Sequence, residues 1–195
     1  MRIAGQGTVS ILKALWQVQP TGVGTRIMQH KLVLGGARSG KTRHGLLLAE
    51  ASGLAPVYVA TAAAYDSEMQ ERIRHHKAER DSRWTTVEEQ FALKDVLRRE
   101  ARPDRIVMVD CLTLWLTNIL LSEADCDAAS DDLTACITRL AGPVIFISNE
   151  VGLGIVPDNA LARRFRDLQG RLNQKIAASV DHVVFIAAGL PLVLK

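Results

Sequence analysis

The sequence predicts an α/β fold: a mainly parallel sheet flanked by helices, in a single domain. Three observations carry that prediction. Short β-rich apolar runs recur along the chain, longer helical patterns separate them, and a glycine-rich loop stands between the first run and the first helix.

The runs are KLVLGG (31–36), PVYVATA (56–62), DRIVMVDC (104–111), PVIFISNE (143–150) and DHVVFIAAG (181–189). Four are almost continuously apolar, as strands covered on both faces must be. The segment RHGLLLAEA (43–51) after the glycine-rich loop reads as a helix. DSEMQERIRHHKAERD, from Asp66, reads as another, with Asp66 as N-cap, acids in its first turn and bases later, matching the macrodipole. The clearest helix is expected over 158–179, where Leu161, Phe165, Leu168, Leu172 and Ile176 recur at spacings of three and four and Pro157 and Asp158 offer a start. LSEADCDAASDD (121–132) reads as a loop or helix start rather than a domain linker. The sequence shows no internal repeat.

A chain of 195 residues, 48% hydrophobic and 23% charged, is long enough to bury one substantial core. Its net charge of +3 is carried by the head: residues 1–30 hold Arg2, Lys13 and Arg26 and no acid, and elsewhere bases and acids are equal in number. Nothing in that balance suggests a nucleic-acid footprint. The head is expected to be a disordered N-terminal extension, since its apolar part is broken by Lys13, Gln17 and Gln19 and lacks a clear cleavage site. The domain proper is placed at 31–195. No apolar run reaches the roughly 18 residues that span a bilayer. Cys111, Cys126 and Cys136 are odd in number and form no CxxC pair, which argues against a disulfide framework or zinc site and suits a reducing cytoplasm.

GGARSGKT (35–42) fits G-x-x-x-x-G-K-[ST] and lies between a strand and a helix, where a phosphate-binding loop must lie. Gly35, Gly36, Ala37, Arg38, Ser39 and Gly40 supply backbone that can wrap phosphates, and the amides and helix N-terminus oppose their charge. Lys41 is expected to reach the β- and γ-phosphates and the Thr42 hydroxyl to hold Mg²⁺. The expected fold is therefore of the P-loop NTPase type. Such a site needs a carboxylate at the end of a neighbouring strand, and Asp110 is the candidate metal residue. The plainer reading of Asp110 is a strand-end turn.

RIRHHKAER (72–80) sets His75 and His76 side by side. Helical neighbours point about 100° apart, so the two cannot share a role. Taken alone, a basic helix of this kind is more often a solvated face than a site. In order along the chain, however, GGARSGKT, RIRHHKAER with Trp84, VDCLTLWLTN (109–118), SNEVGLGIVP (148–157) and ARRFRDLQGRLNQKIA (162–177) together resemble the bifunctional adenosylcobinamide kinase/adenosylcobinamide-phosphate guanylyltransferase family of cobalamin biosynthesis. The resemblance runs from about residue 31 to the end. The phosphate loop is generic; the paired histidines and NEVGLGIVP are far more specific.

The resemblance implies two reactions. The γ-phosphoryl group of ATP or GTP passes to the aminopropanol hydroxyl of adenosylcobinamide, and GMP from GTP then joins the new phosphate, giving adenosylcobinamide-GDP and pyrophosphate. It implies a covalent GMP adduct on the first histidine, His75. A neutral imidazole is a competent nucleophile near pH 7. By the same resemblance, nucleotide contacts fall on Ala60, Thr61, Ala62, His76, Lys77, Ala78, Glu79 and Glu88, with Glu89 leaving the choice of guanine-reading carboxylate open. It also implies Mg²⁺ as cofactor and a homotrimer.

Asn149 and Glu150 follow an apolar strand, where open α/β sheets place ligand contacts. They could hold the corrinoid side chain, order the metal's water, or cap the next helix. Arg163, Arg164, Arg166 and Arg171 read as a solvated basic face, a subunit contact or a pyrophosphate-side clamp. Trp115 with Leu112, Leu114 and Leu116 reads as core or interface, and Cys111 as a small buried hydrophobe. The alternatives to the bifunctional enzyme are a simple P-loop small-metabolite kinase with surface histidines, and a nucleotide-dependent regulatory protein.

Overall fold

The computed structural model describes residues 29–63 and 80–195. Within them one seven-stranded sheet is formed by β1 (Lys31–Gly35), β2 (Ala55–Ala60), β3 (Thr85–Glu88), β4 (Arg105–Asp110), β5 (Val144–Asn149), β6 (His182–Ala187) and β7 (Leu190–Val193). The described helices are α1 (Lys41–Ala51), α2 (Leu93–Glu100), α3 (Leu112–Leu121), α4 (Cys126–Ile137) and α5 (Ala160–Ser179). The expected helix from Asp66 and the extension over 1–28 lie outside the described residues.

The strands run in the order β3-β2-β4-β5-β1-β6-β7. Every neighbouring pair is parallel except β6 and β7. All five expected strands are present. The continuous apolar runs have the expected cause, since side chains alternate between two buried faces. Leu32, Leu34, Val107, Val109, Val144 and Phe146 face a core built with α2, α3, α4 and α5. Val33, Ile106, Met108, Ile145 and Ile147 face the other core, under α1. A Cβ at Gly45 of α1 would stand 2.7 Å from Ile147 Cδ1, so the missing side chain lets that helix approach the sheet closely.

Two strands are not predicted by the sequence. β3, TTVE, is mostly exposed and carries no apolar run to announce it. β7 is hidden in the end of the last expected strand: Ala188 and Gly189, with φ of 50° and 79°, form a two-residue turn joining Ala187 to its partner Leu190. The 181–189 strand therefore ends at Ala187. The helix expected over 158–179 begins at Ala160, with Asn159 rather than Asp158 capping it through a bond from Ala162 N at 3.1 Å. That cap also removes Asn149 and Glu150 as candidates for capping α5. Residues 121–132, expected as a loop or a helix start, hold the end of α3 at Leu121, a short loop and the start of α4, where the Asp125 side chain accepts from Asp127 N and Ala128 N.

Candidate active site

The C-terminal ends of the parallel strands collect nearly every described candidate residue. Between β1 and α1, Gly35 to Gly40 form a loop anchored from two sides and closed by one bond of its own. Glu150 N donates to Gly35 O at 3.1 Å from the end of β5, Gly189 N donates to Ser39 O at 2.9 Å from the β6–β7 turn, and Ser39 N donates to Gly36 O at 3.3 Å. Gly40 has φ 98° as α1 begins, and a Cβ on Gly35 would meet Ile186 O at 2.5 Å. These two glycines are thus required by backbone shape and by space. Arg38 also occupies the left-handed region, at φ 53°.

Lys41 is buried and folds back over the loop, its Nζ donating to Gly36 O at 2.6 Å. Burial lowers its pKa, against the opposing pull of Cys111 and Asp110. A phosphate in the loop would supply the missing counter-charge. Ser39 Oγ is buried and has no hydrogen-bond partner among the described residues. The loop opens onto a pocket of about 410 Å³ whose lining includes Gly36, Ala37, Arg38 and Ser39 together with Glu150 and Leu153.

Asp110 ends β4, which is separated from β1 by β5, so its strand is not the immediate neighbour expected. The residue nevertheless meets the loop: Thr42 Oγ1 donates to Asp110 Oδ2 at 2.9 Å, and Tyr58 OH donates to the same oxygen at 3.0 Å. Burial, followed by the Asp110 charge, holds the Tyr58 phenol protonated far above the ordinary range. Thr42 and Asp110 offer two hard oxygen donors beside the phosphate loop. That set suits an octahedral cation which takes its other ligands from phosphate and water. Among the described residues no cluster of three or more His, Cys, Asp or Glu could bind a metal unaided.

At the end of β2, Thr61 is fully buried. Its hydroxyl donates to Cys111 O at 2.7 Å and accepts from Cys111 N at 2.8 Å. Asn118 Nδ2 donates to Thr61 O at 2.9 Å. Thr61 thus joins strand ends, leaving Ala60 and Ala62 as the partly exposed surface there. The two adjacent glutamates are distinguished by their partners. Glu89 Oε1 accepts from Phe91 N and Ala92 N, both at 2.8 Å, which holds its pKa down and occupies it with the entry to α2. Glu88 is exposed at the end of β3, paired in register with Ala60. His75, His76, Lys77, Ala78 and Glu79 lie outside the described residues. Arg80, at the end of that motif, places its guanidinium 3.6 Å from the Tyr58 ring centroid.

A buried polar network supports the end of β5. Ser148 Oγ donates to Asn173 Oδ1 at 2.7 Å, Gln169 Nε2 donates to Ser148 Oγ at 2.9 Å, and Asn173 Nδ2 donates to Asn149 O at 3.0 Å. Asn149 N in turn donates to Thr113 Oγ1 at 2.8 Å. Sequence reasoning missed Tyr58, Thr113, Gln169 and Asn173. The legible signal was a pair of amides four residues apart, interrupting the apolar stripe of α5.

The arginines of α5 mostly have structural partners. Arg163 Nη1 donates to Pro157 O and Asp158 O, Arg166 pairs with Asp167, and Arg171 pairs with Asp127 of α4. Trp115 is core, its Nε1 donating to Phe91 O at 3.0 Å. Cys111, Cys126 and Cys136 are free and buried. Among the described residues no helix is long and apolar enough to cross a membrane.

A family model described as cobinamide kinase / cobinamide phosphate guanyltransferase matches residues 31–194. The bifunctional adenosylcobalamin biosynthesis protein CobP of Pseudomonas aeruginosa is 50% identical over 166 residues, covering 84% of this chain and 96% of its own. CobU of Salmonella typhimurium, described in the same words, is 39% identical over 181 residues, covering 84% and 98%. In three dimensions a type III secretion system ATPase from pathogenic bacteria is similar at TM-score 0.53 and 11% identity, covering 85% of this chain and 56% of that one. A solved structure from Pyrococcus horikoshii OT3 is similar at TM-score 0.52 and 12% identity, covering 94% and 91%. The fold is that of the P-loop NTPases.

Proposed function

The chain belongs to the cobinamide kinase / cobinamide phosphate guanyltransferase family, and from that membership we propose how its residues divide two transfers between them. The substrates are adenosylcobinamide, its phosphate, and ATP or GTP. The observation that carries the division is the Thr42–Asp110 contact at 2.9 Å beside a phosphate loop whose lysine is buried.

In the kinase step Gly36 to Gly40 and Lys41 hold the β- and γ-phosphates, and the aminopropanol hydroxyl attacks the γ-phosphorus. Thr42 and Asp110 would hold Mg²⁺, which when bound would neutralise phosphate charge. In the guanylyl step the His75 imidazole attacks the α-phosphorus of GTP, pyrophosphate leaves, and the phosphate of adenosylcobinamide phosphate then displaces His75 from the adduct. Glu88 accepts hydrogen bonds from guanine N1 and N2, with Ala60 and Ala62 beside it and His76, Lys77, Ala78 and Glu79 as further nucleotide contacts. Glu88 is favoured over Glu89 because it is exposed in register with Ala60, whereas the Glu89 carboxylate binds the main chain at the entry to α2. β3 lies four places from β1, about 19 Å at roughly 4.8 Å per strand. The base end and the phosphate end of the site are thus far apart.

Leu153, Ile155 and Val156, exposed on the loop after β5, offer an apolar contact to the corrinoid. Leu190, Leu192 and Val193 on the β7 edge are also exposed, and they support a homo-oligomer, by family likeness a trimer. A cytoplasmic location suits the three free cysteines.

The deciding experiment incubates wild type and His75→Ala with Mg²⁺ and α-³²P-GTP, then denatures both. Acid-labile label on wild type alone supports the histidine adduct. No label on wild type leaves a simple kinase, and label surviving on the variant moves the nucleophile elsewhere.

A further inference from the structure

The kinase step as proposed lacks one participant: a group to take the proton of the attacking hydroxyl. Asp110 is poorly suited to that task, because it accepts from both Thr42 and Tyr58 on the metal side of the loop. Glu150 is placed differently. It is the one acid among the described residues lining the 410 Å³ pocket, where it stands with Gly36, Ala37, Arg38 and Ser39 of the phosphate loop.

Its position is unusually well fixed. Glu150 N donates to Gly35 O at 3.1 Å, which ties its main chain to the strand that delivers the loop. The preceding residue is held at both ends, Asn149 N by Thr113 Oγ1 at 2.8 Å and Asn149 O by Asn173 Nδ2 at 3.0 Å. The carboxylate is steadied by Gly152 N, which donates to Oε1 at 2.5 Å. A loop residue needing only solubility would not require a buried Ser148–Gln169–Asn173 network beneath it. The exposed Leu153 lines the same pocket and offers an apolar contact to a large acceptor.

We propose that Glu150 is the general base of the kinase step. This rests on the kinase reading above. As the hydroxyl oxygen bonds to the γ-phosphorus, the bond from that phosphorus to the β–γ bridging oxygen breaks and the nucleoside diphosphate leaves. The hydroxyl proton passes to the Glu150 carboxylate and from there to solvent. The guanylyl step needs no such base, because its acceptor is a phosphate oxygen that is already anionic.

That asymmetry supplies the test. Glu150→Gln is assayed twice in one preparation, for phosphorylation of adenosylcobinamide and for guanylyl transfer to adenosylcobinamide phosphate supplied directly. The expected result is a kinase kcat lower by about 10²–10⁴-fold and guanylyl transfer within a few-fold of wild type. The retained second activity also shows that the variant is folded. Kinase activity near wild type overturns the proposal, as does an equal fall in both activities, which would make Glu150 a structural support. Wild type that leaves adenosylcobinamide unphosphorylated defeats the kinase reading itself and this inference with it.

Discussion

Thr42, the first hydroxyl of α1, donates to Asp110 at the end of β4 at 2.9 Å although β1, which leads into α1, is not a neighbour of β4. The intervening β5 brings Asn149 and Glu150 to the loop between them. Asp110→Asn preserves an acceptor for Thr42 and Tyr58 but removes the charge. Kinase kcat is expected to fall about 10²–10³-fold, with an unchanged melting temperature to within a few degrees. A steady-state assay across a Mg²⁺ titration, with thermal melts alongside, checks both.

Gly35 and Gly36 are adjacent but separable. A Cβ on Gly35 meets Ile186 O at 2.5 Å, whereas one on Gly36 meets nothing within 4 Å. Gly35→Ala is expected to lose about 2–4 kcal/mol of stability. Gly36→Ala should fold normally but weaken nucleotide binding, because the new methyl enters space next to the phosphates. Urea unfolding and nucleotide titration of the two variants would separate the effects.

Removing Asn173 leaves Asn149 O and Ser148 Oγ short of partners inside the protein. Asn173→Leu is expected to destabilise by about 1–3 kcal/mol and to slow the kinase step, since β5 positions Glu150. Denaturant midpoints measure the first effect and single-turnover phosphoryl transfer the second.

Lys31 is buried in β1, and burial lowers its pKa from 10.5 to about 8 despite the opposing pull of Asp181. Between those two values the unfolded chain binds more protons than the folded one, so stability rises with pH across that window. Below pH 8 both states are protonated and the full burial penalty remains. Lys31→Met should therefore raise stability at pH 7 by about 1–3 kcal/mol and flatten the slope between pH 8 and 10.5. Unfolding free energies of both proteins at several pH values would show it.

Local chemistry was legible without coordinates. The GGARSGKT pattern lies where a strand meets a helix, and the structure forms the turn there because Gly40 takes φ 98° and Gly35 has no room for a side chain. The five apolar runs are strands because alternate residues are buried on both faces. β3 was illegible because an exposed edge strand needs no apolar run. β7 was missed because its turn residues, Ala188 and Gly189, continue a hydrophobic stretch.

The sequence by itself determined the loop, its lysine and hydroxyl, the strand-helix alternation and the resemblance that named the two reactions, since each depends on residues close together in the chain. Only the tertiary structure decided strand order, the meeting of Thr42, Tyr58 and Asp110 at one oxygen, and the occupation of Glu89 by the entry to α2. It alone decided that Gln169 and Asn173 reach beneath β5 to fix the main chain at Glu150. Those relationships join residues far apart in the chain, and no local propensity encodes a distance that packing between layers creates.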